Sequence, residues 1–334
     1  MTLHVHGFGH FHPENEISNA FLEELDIGTN DEWILERVGI RSRRTVLPLD
    51  YIRETRNKDV RQSFEAADLA NHELGVRAAR LALQRAGIEA GQIGMVLSGS
   101  SCPDHVTPAE AGLVAKGLGI EVPIFDINSA CTSFMAQLFV IASMRPEALH
   151  DYILVVASES LTKTVDFTDR SSAVLFGDGA AAAVVSPRIA GPAVLLGATL
   201  DSNPAQAEKV LIPRAGYFSQ DGRAVQMFAI KKTIAGVDQL RADFAGDDRS
   251  FHFAGHQANM RVLQQVCQRC DIQPEFHHHN VELHGNTGSA SCPSAVSMSW
   301  EKFGPRDDVA MVAVGGGLSW SRALLRFSAS GDAS

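Results

Sequence analysis

The stretch of sequence that organises this chain reads Phe125-Asp126-Ile127-Asn128-Ser129-Ala130-Cys131-Thr132-Ser133-Phe134 and continues as mostly apolar residues to Ala142. Its first residues are typical of a strand end. Its second part is apolar nearly all round, which predicts a buried helix. Cys131 stands where that helix is expected to begin, and the unpaired N–H groups and partial positive charge of a helix N-terminus lower the pKa of a thiol. The pattern offers Cys131 as a nucleophile, although most lone cysteines are buried structural residues.

A nucleophilic cysteine needs a base or a cationic neighbour from elsewhere in the chain. Two later stretches place a polar group inside apolar surroundings, namely His256 within residues 253–261 and Asn286 within residues 284–291. A third stretch, residues 312–320, reads as a strand that runs into the glycine turn Gly315-Gly316-Gly317, where backbone N–H groups can approach a ligand. A single buried His or Asn is ordinarily a satisfied core residue. The order of cysteine, histidine, asparagine and glycine turn is a more specific signal.

Together these motifs resemble those of the β-ketoacyl-acyl-carrier-protein synthases III, which are condensing enzymes of the thiolase fold. The resemblance covers almost the full length of the chain. It is carried by motifs in the same order: Thr29-Asn30-Asp31-Glu32-Trp33-Ile34, Arg37-Val38-Gly39-Ile40-Arg41, Thr168-Asp169-Arg170, Phe176-Gly177-Asp178-Gly179-Ala180, His256-Gln257-Ala258-Asn259, His284-Gly285-Asn286-Thr287 and Gly315-Gly316-Gly317.

Composition narrows the class of protein. The chain has 334 residues, enough for two ordinary domains or one large duplicated domain. Its net charge of −10 argues against a nucleic-acid binder, whose footprint is basic. Apolar runs are shorter than a membrane span, and we expect no signal peptide and no membrane association. The odd number of cysteines, 5, shows no disulfide framework and predicts a cytoplasmic protein.

Strand and helix patterns alternate along the chain, which predicts an α/β protein with layers. A helical pattern runs from Ala66 to Ala86, and a strand is expected near Val281. The resemblance implies a thiolase-like fold with two duplicated halves, 1–186 with the nucleophile and 187–334 with the His and Asn, in a layered αβαβα core. The charged segment from Thr45 to Phe64 is longer than compact members of the family carry there.

The resemblance also implies a mechanism. Cys131 would attack an acyl thioester, usually acyl-CoA, and the N–H groups of Cys131 and Gly316 would hold the oxyanion. A malonyl group on acyl carrier protein would then enter. His256 and Asn286 would donate to its thioester carbonyl as carbon dioxide leaves. No metal or redox cofactor is expected, and His284 is expected to be structural.

Further residues match binding positions of the family. Trp33, Arg37 and Arg170 match the positions that hold coenzyme A, where Trp33 would stack on the adenine. Arg261 matches a docking arginine for acyl carrier protein, and Lys231 could extend a basic patch there. Such a patch is needed because both proteins are acidic overall.

Two positions depart from the family pattern near the acyl pocket. Before Pro108, short-chain members often carry a Phe, and this chain has Thr107. Before the glycine turn, many members carry another Phe, and this chain has Val314. Both changes remove bulk and favour a longer acyl primer. The alternative is that neighbouring residues, such as those from Thr45 to Phe64, refill the space.

Two other motifs could suggest metal or redox chemistry. Cys267 and Cys270 form a Cys-x-x-Cys pair, but they lie in a helical pattern without a second pair, so we expect helix-face residues. His277-His278-His279 is one short segment whose three side chains cannot all face one ion. We therefore expect no metal site.

The resulting hypothesis is a homodimeric, cytoplasmic condensing enzyme that uses acyl-CoA, medium-chain or longer, and malonyl-acyl-carrier-protein in fatty-acid or specialised-metabolite synthesis. One alternative is a non-decarboxylating acyltransferase of the same fold. Another is a non-catalytic partner subunit that binds acyl chains or carrier protein. The intact set of Cys131, His256 and Asn286 disfavours the partner subunit, and Asn286 disfavours the acyltransferase, which has no decarboxylation to assist.

Overall fold

The computed structural model describes residues 2–214, 216–244, 246 and 248–328. Within them, no helix is both long and apolar enough to cross a lipid bilayer. The strands are β1 (Leu3–Phe11), β2 (Asn15–Ser18), β3 (Ser42–Thr45), β4 (Met95–Gly99), β5 (Ile124–Asp126), β6 (Ile153–Glu159), β7 (Gly179–Ser186), β8 (Ala193–Ser202), β9 (Val210–Leu211), β10 (Ser219–Gln220), β11 (Ser250–Gly255), β12 (Asp307–Gly315) and β13 (Ser319–Phe327). The helices are α1 (Asn19–Glu24), α2 (Asp31–Arg37), α3 (Leu49–Thr55), α4 (Val60–Ala66), α5 (Asn71–Ala86), α6 (Glu110–Leu118), α7 (Ser133–Ser143), α8 (Arg170–Ala173), α9 (Gly222–Phe244), α10 (Met260–Arg269), α11 (Val281–His284) and α12 (Ser291–Met298).

One mixed sheet contains the strands β11-β12-β13-β8-β1-β7-β6-β4-β5 in that order. In residues 3–186, the parallel strands β5, β4 and β6 are followed by the antiparallel strands β7 and β1. Residues 193–327 repeat this order, because β11 and β12 are parallel and the antiparallel strands β13 and β8 follow. The two parts join through the pair β1–β8. This repeat supports the proposed division into similar halves at residues 186 and 187.

Helices lie on both outer sides of the strands and between them. On one outer side α5 packs on β1, β6 and β7, and on the other α9 packs on β12 and β13. In the middle, α7 and α12 each contact strands of both parts. Four large residues of α7 are almost fully buried there, and each contributes about 1.5–3 kcal/mol of hydrophobic stabilisation: Phe134, Met135, Leu138 and Ile141. The predicted buried helix after Cys131 and the layered α/β arrangement are therefore confirmed.

Two sequence predictions of secondary structure are wrong in detail. The helical pattern from Ala66 to Ala86 is two helices, because α4 ends at Ala66 and the backbone at Ala70 is extended. The Glu73 side chain then accepts the Ala70 N–H at 2.8 Å, and α5 begins there as a new helix.

The stretch near Val281 is helix α11 rather than a strand. The N–H groups at its start donate to the side-chain oxygen of Gln257. A local sequence pattern cannot indicate this contact, because Gln257 lies more than twenty residues earlier in the chain.

The segment from Thr45 to Phe64 folds into α3, α4 and the turn between them. Asn57 in that turn is fully buried, and its amide donates to the carbonyls of Lys163 and Val165, both at 2.9 Å. Tyr217 donates to the Asn57 carbonyl at 2.8 Å. The segment therefore contacts two other parts of the chain, residues 161–167 and 217–218. It does not line either of the two cavities described below.

Candidate active site

The turn that carries Cys131 is held by hydrogen bonds on both sides of the residue. Before it, Asp126 at the end of β5 accepts the N–H of Glu110 at 2.7 Å. Ala130 has a φ of +48°, a left-handed conformation that costs a non-glycine residue about 1–3 kcal/mol. The Ala130 carbonyl accepts the Ser133 hydroxyl at 2.7 Å. Cys131 therefore lies on a fixed turn directly before α7, at the helix start that the sequence predicts.

Cys131 lies on the wall of a cavity of about 280 Å³. His256, which follows β11, and Asn286, which follows α11, lie on the same wall. The wall also contains residues of α2, of the start of α9 and of the end of β12: Trp33, Arg37, Val225, Gln226, Val314, Gly315 and Gly316. The structure thus brings together the three predicted catalytic side chains and the predicted oxyanion glycine, although they are far apart in sequence.

The glycine turn after β12 approaches Cys131 closely. A Cβ atom on Gly315 would lie 2.9 Å from the backbone nitrogen of Cys131, which no real side chain tolerates. A Cβ on Gly316 would lie 3.5 Å from the Cβ of Ala130. Gly317 has a φ of +118°, which also requires glycine. These glycines allow the backbone N–H groups of the turn to lie beside the thiol.

His256 is a neutral imidazole. Burial lowers the pKa of His256 to about 4. Its Nδ1 lies 2.7 Å from the hydroxyl oxygen of Ser291. The Ser291 oxygen also accepts the Gln257 N–H at 3.3 Å, and its hydroxyl proton can be donated to Nδ1. With Nδ1 as acceptor, the ring proton is on Nε2, and the ring can donate a hydrogen bond from Nε2.

The Asn286 amide is oriented by its own chain. Its side-chain oxygen accepts the N–H of Gly288 at 3.0 Å, and its backbone is bonded to Leu175 and Gly177. The amide nitrogen is the remaining donor end of a side chain that lines the cavity. His256 and Asn286 together can place two neutral N–H donors in the cavity. Such a pair suits a carbonyl oxygen that gains negative charge.

The predicted low pKa of the Cys131 thiol is wrong. Burial raises the pKa of Cys131 to about 12, and the nearby Glu159 carboxylate raises it further. The helix start was expected to lower it, but desolvation of the thiolate outweighs this effect. In the empty site the sulfur is therefore a protonated thiol at neutral pH.

A second cavity, of about 240 Å³, adjoins the first along five residues that line both: Cys131, Phe176, Val210, Phe218 and Gly316. Its wall is mainly apolar and includes residues that the sequence analysis missed: Leu161, Phe176, Val210, Ile212 and Phe218. Ser101 and Asn128 add polar groups to this wall. Phe176 stands at the start of a quoted motif, but the other four come from loops and short strands between the motifs, where single apolar residues carry no sequence signal of their own.

Comparison with known proteins identifies the family. Sequence models of the 3-oxoacyl-(acyl-carrier-protein) synthase III family match residues 125–204, and its C-terminal part matches residues 247–327. The β-ketoacyl-(acyl-carrier-protein) synthase III of Geobacillus kaustophilus is 33% identical over 337 residues, with 98% of this chain and 99% of that protein covered. The chain belongs to the 3-oxoacyl-(acyl-carrier-protein) synthase III family. It is an acyl-transferring condensing enzyme, as the sequence predicts.

Solved structures of family members share the fold. The synthase III of Pseudomonas aeruginosa PAO1 superimposes with a TM-score of 0.84 at 30% identity, covering 98% of this chain and 99% of that chain. The synthase III of Aquifex aeolicus VF5 gives a TM-score of 0.84 at 28% identity, covering 97% and 100%. The predicted thiolase-like α/β fold of this synthase III is therefore confirmed.

Two of the three predicted coenzyme A residues line the first cavity, and Arg170 contacts one of them from outside the lining. Trp33 and Arg37 line the cavity, and the Arg37 guanidinium lies 5.8 Å from the centre of the Trp33 ring. Arg170 lies closer, at 4.8 Å, and also donates to the carbonyl of Gly28. Both cations thus contact the indole that was predicted to stack on adenine.

The two predicted docking residues differ in their surroundings. Arg261 is exposed, but its guanidinium donates to the carbonyls of Leu35 at 2.7 Å and Glu36 at 3.1 Å. It therefore caps the C-terminal end of α2, which carries Trp33. Lys231 is exposed on α9, while the adjacent Lys232 packs on the Trp320 ring at 3.5 Å.

The two predicted acyl-pocket residues are separated. Val314 is buried and lines the first cavity, beside Gly315. The acyl-pocket role of Thr107 stays a prediction, since Thr107 is exposed and lines neither cavity of its own chain. The physical reason is that the loop after β4 passes over the surface before it enters α6, and Val106 in this loop is 75% exposed.

The remaining His and Cys motifs pack outside the site. His284 stacks on His12 at 3.8 Å, which agrees with a structural role. His278 bonds to His252 at 2.8 Å, and burial raises the pKa values of Cys267 and Cys270 at the end of α10 to about 12 and about 11. Among the residues that the structure describes, no three His, Cys, Asp or Glu side chains are arranged to hold a metal ion.

Proposed function

We propose that this synthase III joins an acyl primer from acyl-CoA, medium-chain or longer, to malonyl-acyl-carrier-protein, through an acyl thioester on Cys131. The observation that carries the proposal is the position of Cys131 at the junction of two cavities. Both cavities have mainly apolar walls, but the donors His256 and Asn286 line the first cavity and not the second. The first can receive a reacting thioester while the second holds the acyl chain.

In the first step, the sulfur of Cys131 attacks the carbonyl carbon of acyl-CoA. The carbon–sulfur bond to coenzyme A breaks, and free coenzyme A leaves as a thiol with the proton that Cys131 loses. The backbone N–H groups of Cys131 and Gly316 stabilise the oxyanion of the tetrahedral intermediate. The close approach of the glycine turn to Cys131 supports this assignment.

In the second step, the carbon–carbon bond between the malonyl methylene and its carboxylate breaks. Carbon dioxide leaves, and the electron pair forms an enolate whose oxygen accepts from His256 Nε2–H and the Asn286 amide. The enolate carbon then attacks the acyl-Cys131 carbonyl, and the carbon–sulfur bond breaks. A proton from solvent restores the thiol, and the product is a β-ketoacyl thioester on the carrier protein.

Coenzyme A would bind at Trp33, Arg37 and Arg170. The guanidinium of Arg170 lies over the Trp33 ring at 4.8 Å. The adenine would therefore replace this guanidinium or bind between it and the ring. Arg37 and the displaced Arg170 would then be available for the phosphates.

Carrier protein would dock beside α9. The first turns of α9 line the first cavity, and Lys231 is exposed further along the same helix. A local cation is needed because the net charge of this chain is −10. We assign Arg261 a smaller share of the docking, since its guanidinium is occupied by the carbonyls of α2.

The size of the second cavity supports a medium-chain primer. The cavity has a volume of about 240 Å³, and its mainly apolar wall begins at Cys131, which would carry the acyl group. Every buried methylene contributes about 0.8 kcal/mol, so four additional methylenes would give about 3 kcal/mol, or roughly a hundredfold preference. We therefore expect an optimum well above the two carbons of acetyl.

The test is the intact mass of the protein after incubation with acyl-CoAs from acetyl to dodecanoyl, with rates of adduct formation. We expect one acyl adduct, fastest at medium chain length, and none in Cys131→Ala. In Ile212→Trp the added ring should fill the second cavity and shift the optimum towards acetyl. The matched control is Leu211→Trp, because Leu211 is 47% exposed and lines neither cavity. A wild-type optimum at acetyl would refute the chain-length proposal, and an adduct in Cys131→Ala would refute the nucleophile.

We also propose that the protein is a cytoplasmic homodimer. The cysteines of the chain are all free thiols in the structure, which suits a reducing compartment. Strand β5 lies at one edge of the sheet, beside the loop with the exposed Val106. An open strand edge next to exposed apolar surface is suited to pairing with a second copy.

A further inference from the structure

Glu159, the last residue of β6, is a buried carboxylate that the proposed mechanism does not use. It is fully buried beside the reacting groups. One carboxylate oxygen accepts from the Ser289 N–H at 3.1 Å, the Ser289 hydroxyl at 2.6 Å and the Ser101 hydroxyl at 3.2 Å. The other accepts from the Ser101 N–H at 2.9 Å and more weakly from Ser100 and Cys102, both at 3.4 Å. A carboxylate with this many donors fixes the chain segments that supply them.

One of these segments carries Asn286. Ser289, which is bound to Glu159 twice, lies three residues after Asn286. Between them, Gly288 donates its N–H to the Asn286 side-chain oxygen, and a Cβ on Gly288 would lie 2.9 Å from Glu159 Oε1. The carboxylate and the amide of Asn286 are therefore linked through a tight turn of only three peptide units. Loss of the Glu159 contacts would release the turn that orients the Asn286 amide.

The charge of Glu159 also acts on Cys131. Ser101, which donates to Glu159 through both its N–H and its hydroxyl, lines the second cavity together with Cys131, so the carboxylate lies directly behind the wall of that cavity. The carboxylate is also the second cause, after burial, of the raised pKa of the thiol. No cation is hydrogen-bonded to Glu159 in the described residues, since the nearby Lys163 pairs with Asp104 at 2.6 Å. Cys102 and Asp178 are the other titratable groups near the carboxylate, and His256 is the titratable group that shares the cavity wall with Cys131. His256 is neutral, so Glu159 is the charged group that acts on Cys131. Burial raises the pKa of Glu159 itself, and its hydrogen bonds from Ser289, Ser101 and Cys102 act in the other direction by favouring the carboxylate.

We propose that Glu159 is a positioning residue with two opposite effects: it holds the Asn286 turn for decarboxylation, and its negative charge disfavours the Cys131 thiolate before a substrate binds. The first effect rests on the proposed function, because it requires Asn286 to act in decarboxylation. The second effect depends only on the reactivity of the thiol. A residue that merely supports the fold would affect both reactions in the same direction.

The test is Glu159→Gln, which keeps the shape of the side chain and removes the charge. Alkylation of Cys131 by iodoacetamide, followed between about pH 7 and pH 10, should become roughly threefold faster or more at each pH. Release of carbon dioxide from malonyl-acyl-carrier-protein by the pre-acylated enzyme should fall about tenfold or more, since an amide end replaces one acceptor of the Ser289 or Ser101 donors. The matched control is Glu110→Gln. Glu110 is also buried and bonds to Asn71 at 2.8 Å, but it does not contact the Asn286 turn.

The outcomes separate the proposal from the function on which it rests. If alkylation and decarboxylation both fall in Glu159→Gln, or if the variant behaves like Glu110→Gln, the positioning role is refuted. If Glu159→Gln does not fold, Ser289→Ala tests the same link, because it removes the hydroxyl contact at 2.6 Å and keeps both the backbone N–H contact and the charge. It should slow decarboxylation and leave alkylation unchanged, and equal effects on both would refute the proposal. Absence of decarboxylation in the wild type would refute the proposed function, and faster alkylation in Glu159→Gln would still support the charge effect.

Discussion

Ser291 is the hydrogen-bond partner of His256 Nδ1, and we expect its hydroxyl to donate to Nδ1 and so keep the ring proton on Nε2. It is fully buried, and its hydroxyl lies 2.7 Å from Nδ1. In Ser291→Ala the ring loses the partner that favours the Nε2–H form. We expect carbon dioxide release from malonyl-acyl-carrier-protein to fall roughly ten- to hundredfold, with little change in acylation of Cys131, when both steps are measured separately. The control is Ser294→Ala, which is equally buried and does not contact His256. Equal losses in both steps would contradict the assignment.

At this same scale, the sequence predicts which residues meet but not their electrostatic state. The motifs of the sequence were enough to find four residues of the site, because each stands in a short motif with a recognisable order of neighbours: Cys131, His256, Asn286 and Gly316. The high pKa of Cys131 could not be found in this way, because burial is a property of the assembled core. Glu159 could not either, since a single Glu at the end of a buried strand looks like an ordinary terminal charge until Ser101 and Ser289 are placed around it.

Among the elements, strand β5 is one of the two edge strands of the sheet, with β11 at the other edge, and it is the place where a second chain is expected to pair. Its three residues pair with β4 on one side, and the loop with Val106 lies beside its C-terminal end, where Asp126 holds the start of α6. Light scattering on a sizing column should give twice the chain mass for the wild type. Val106→Lys adds a charge to an exposed position, so it should leave the fold intact and weaken the dimer. The control Met227→Lys changes an equally exposed apolar residue on α9. A monomeric wild type would refute the proposed dimer.

Elements with strong periodicity could be predicted, and those fixed by side-chain contacts could not. The buried helix α7 and the strands β6, β7 and β12 follow from apolar runs with clear ends. Helix α11 does not, because the side chain of Gln257 sets its first turn. The segment from Thr45 to Phe64 shows the same limit. Its length indicated an insertion, but its role depends on Asn57, whose buried contacts lie more than a hundred residues away.

For the whole molecule, buried histidines link stability to pH. Burial lowers the pKa of five histidines from 6.5 to about 3 or 4: His10, His256, His277, His278 and His284. As pH falls below about 6.5, the unfolded chain binds protons that the folded chain does not, so stability is present above this pH and lost towards about pH 4. Three buried carboxyls act in the opposite direction, because their pKa values are raised: Glu110, Glu159 and Asp178.

Since the histidines outnumber the carboxyls, we expect the melting temperature to fall steadily between about pH 7 and pH 5. Differential scanning calorimetry in buffers of equal ionic strength measures this. The comparison is His278→Gln, which removes one buried titrating group and should make the decline shallower. A melting temperature that stays constant or rises on acidification would show that the carboxyls dominate.

The two cavities that meet at Cys131 have a consequence for the order of events. The thioester arm of coenzyme A and that of the carrier protein would reach the sulfur through the same cavity of about 280 Å³. There is room for one arm at a time, so the first leaving group must depart before the second substrate can enter. The proposed enzyme would therefore alternate between a free and an acylated form in a ping-pong cycle. An excess of acyl-CoA would make the acylated form accumulate, and an excess of malonyl-acyl-carrier-protein would make the free form accumulate.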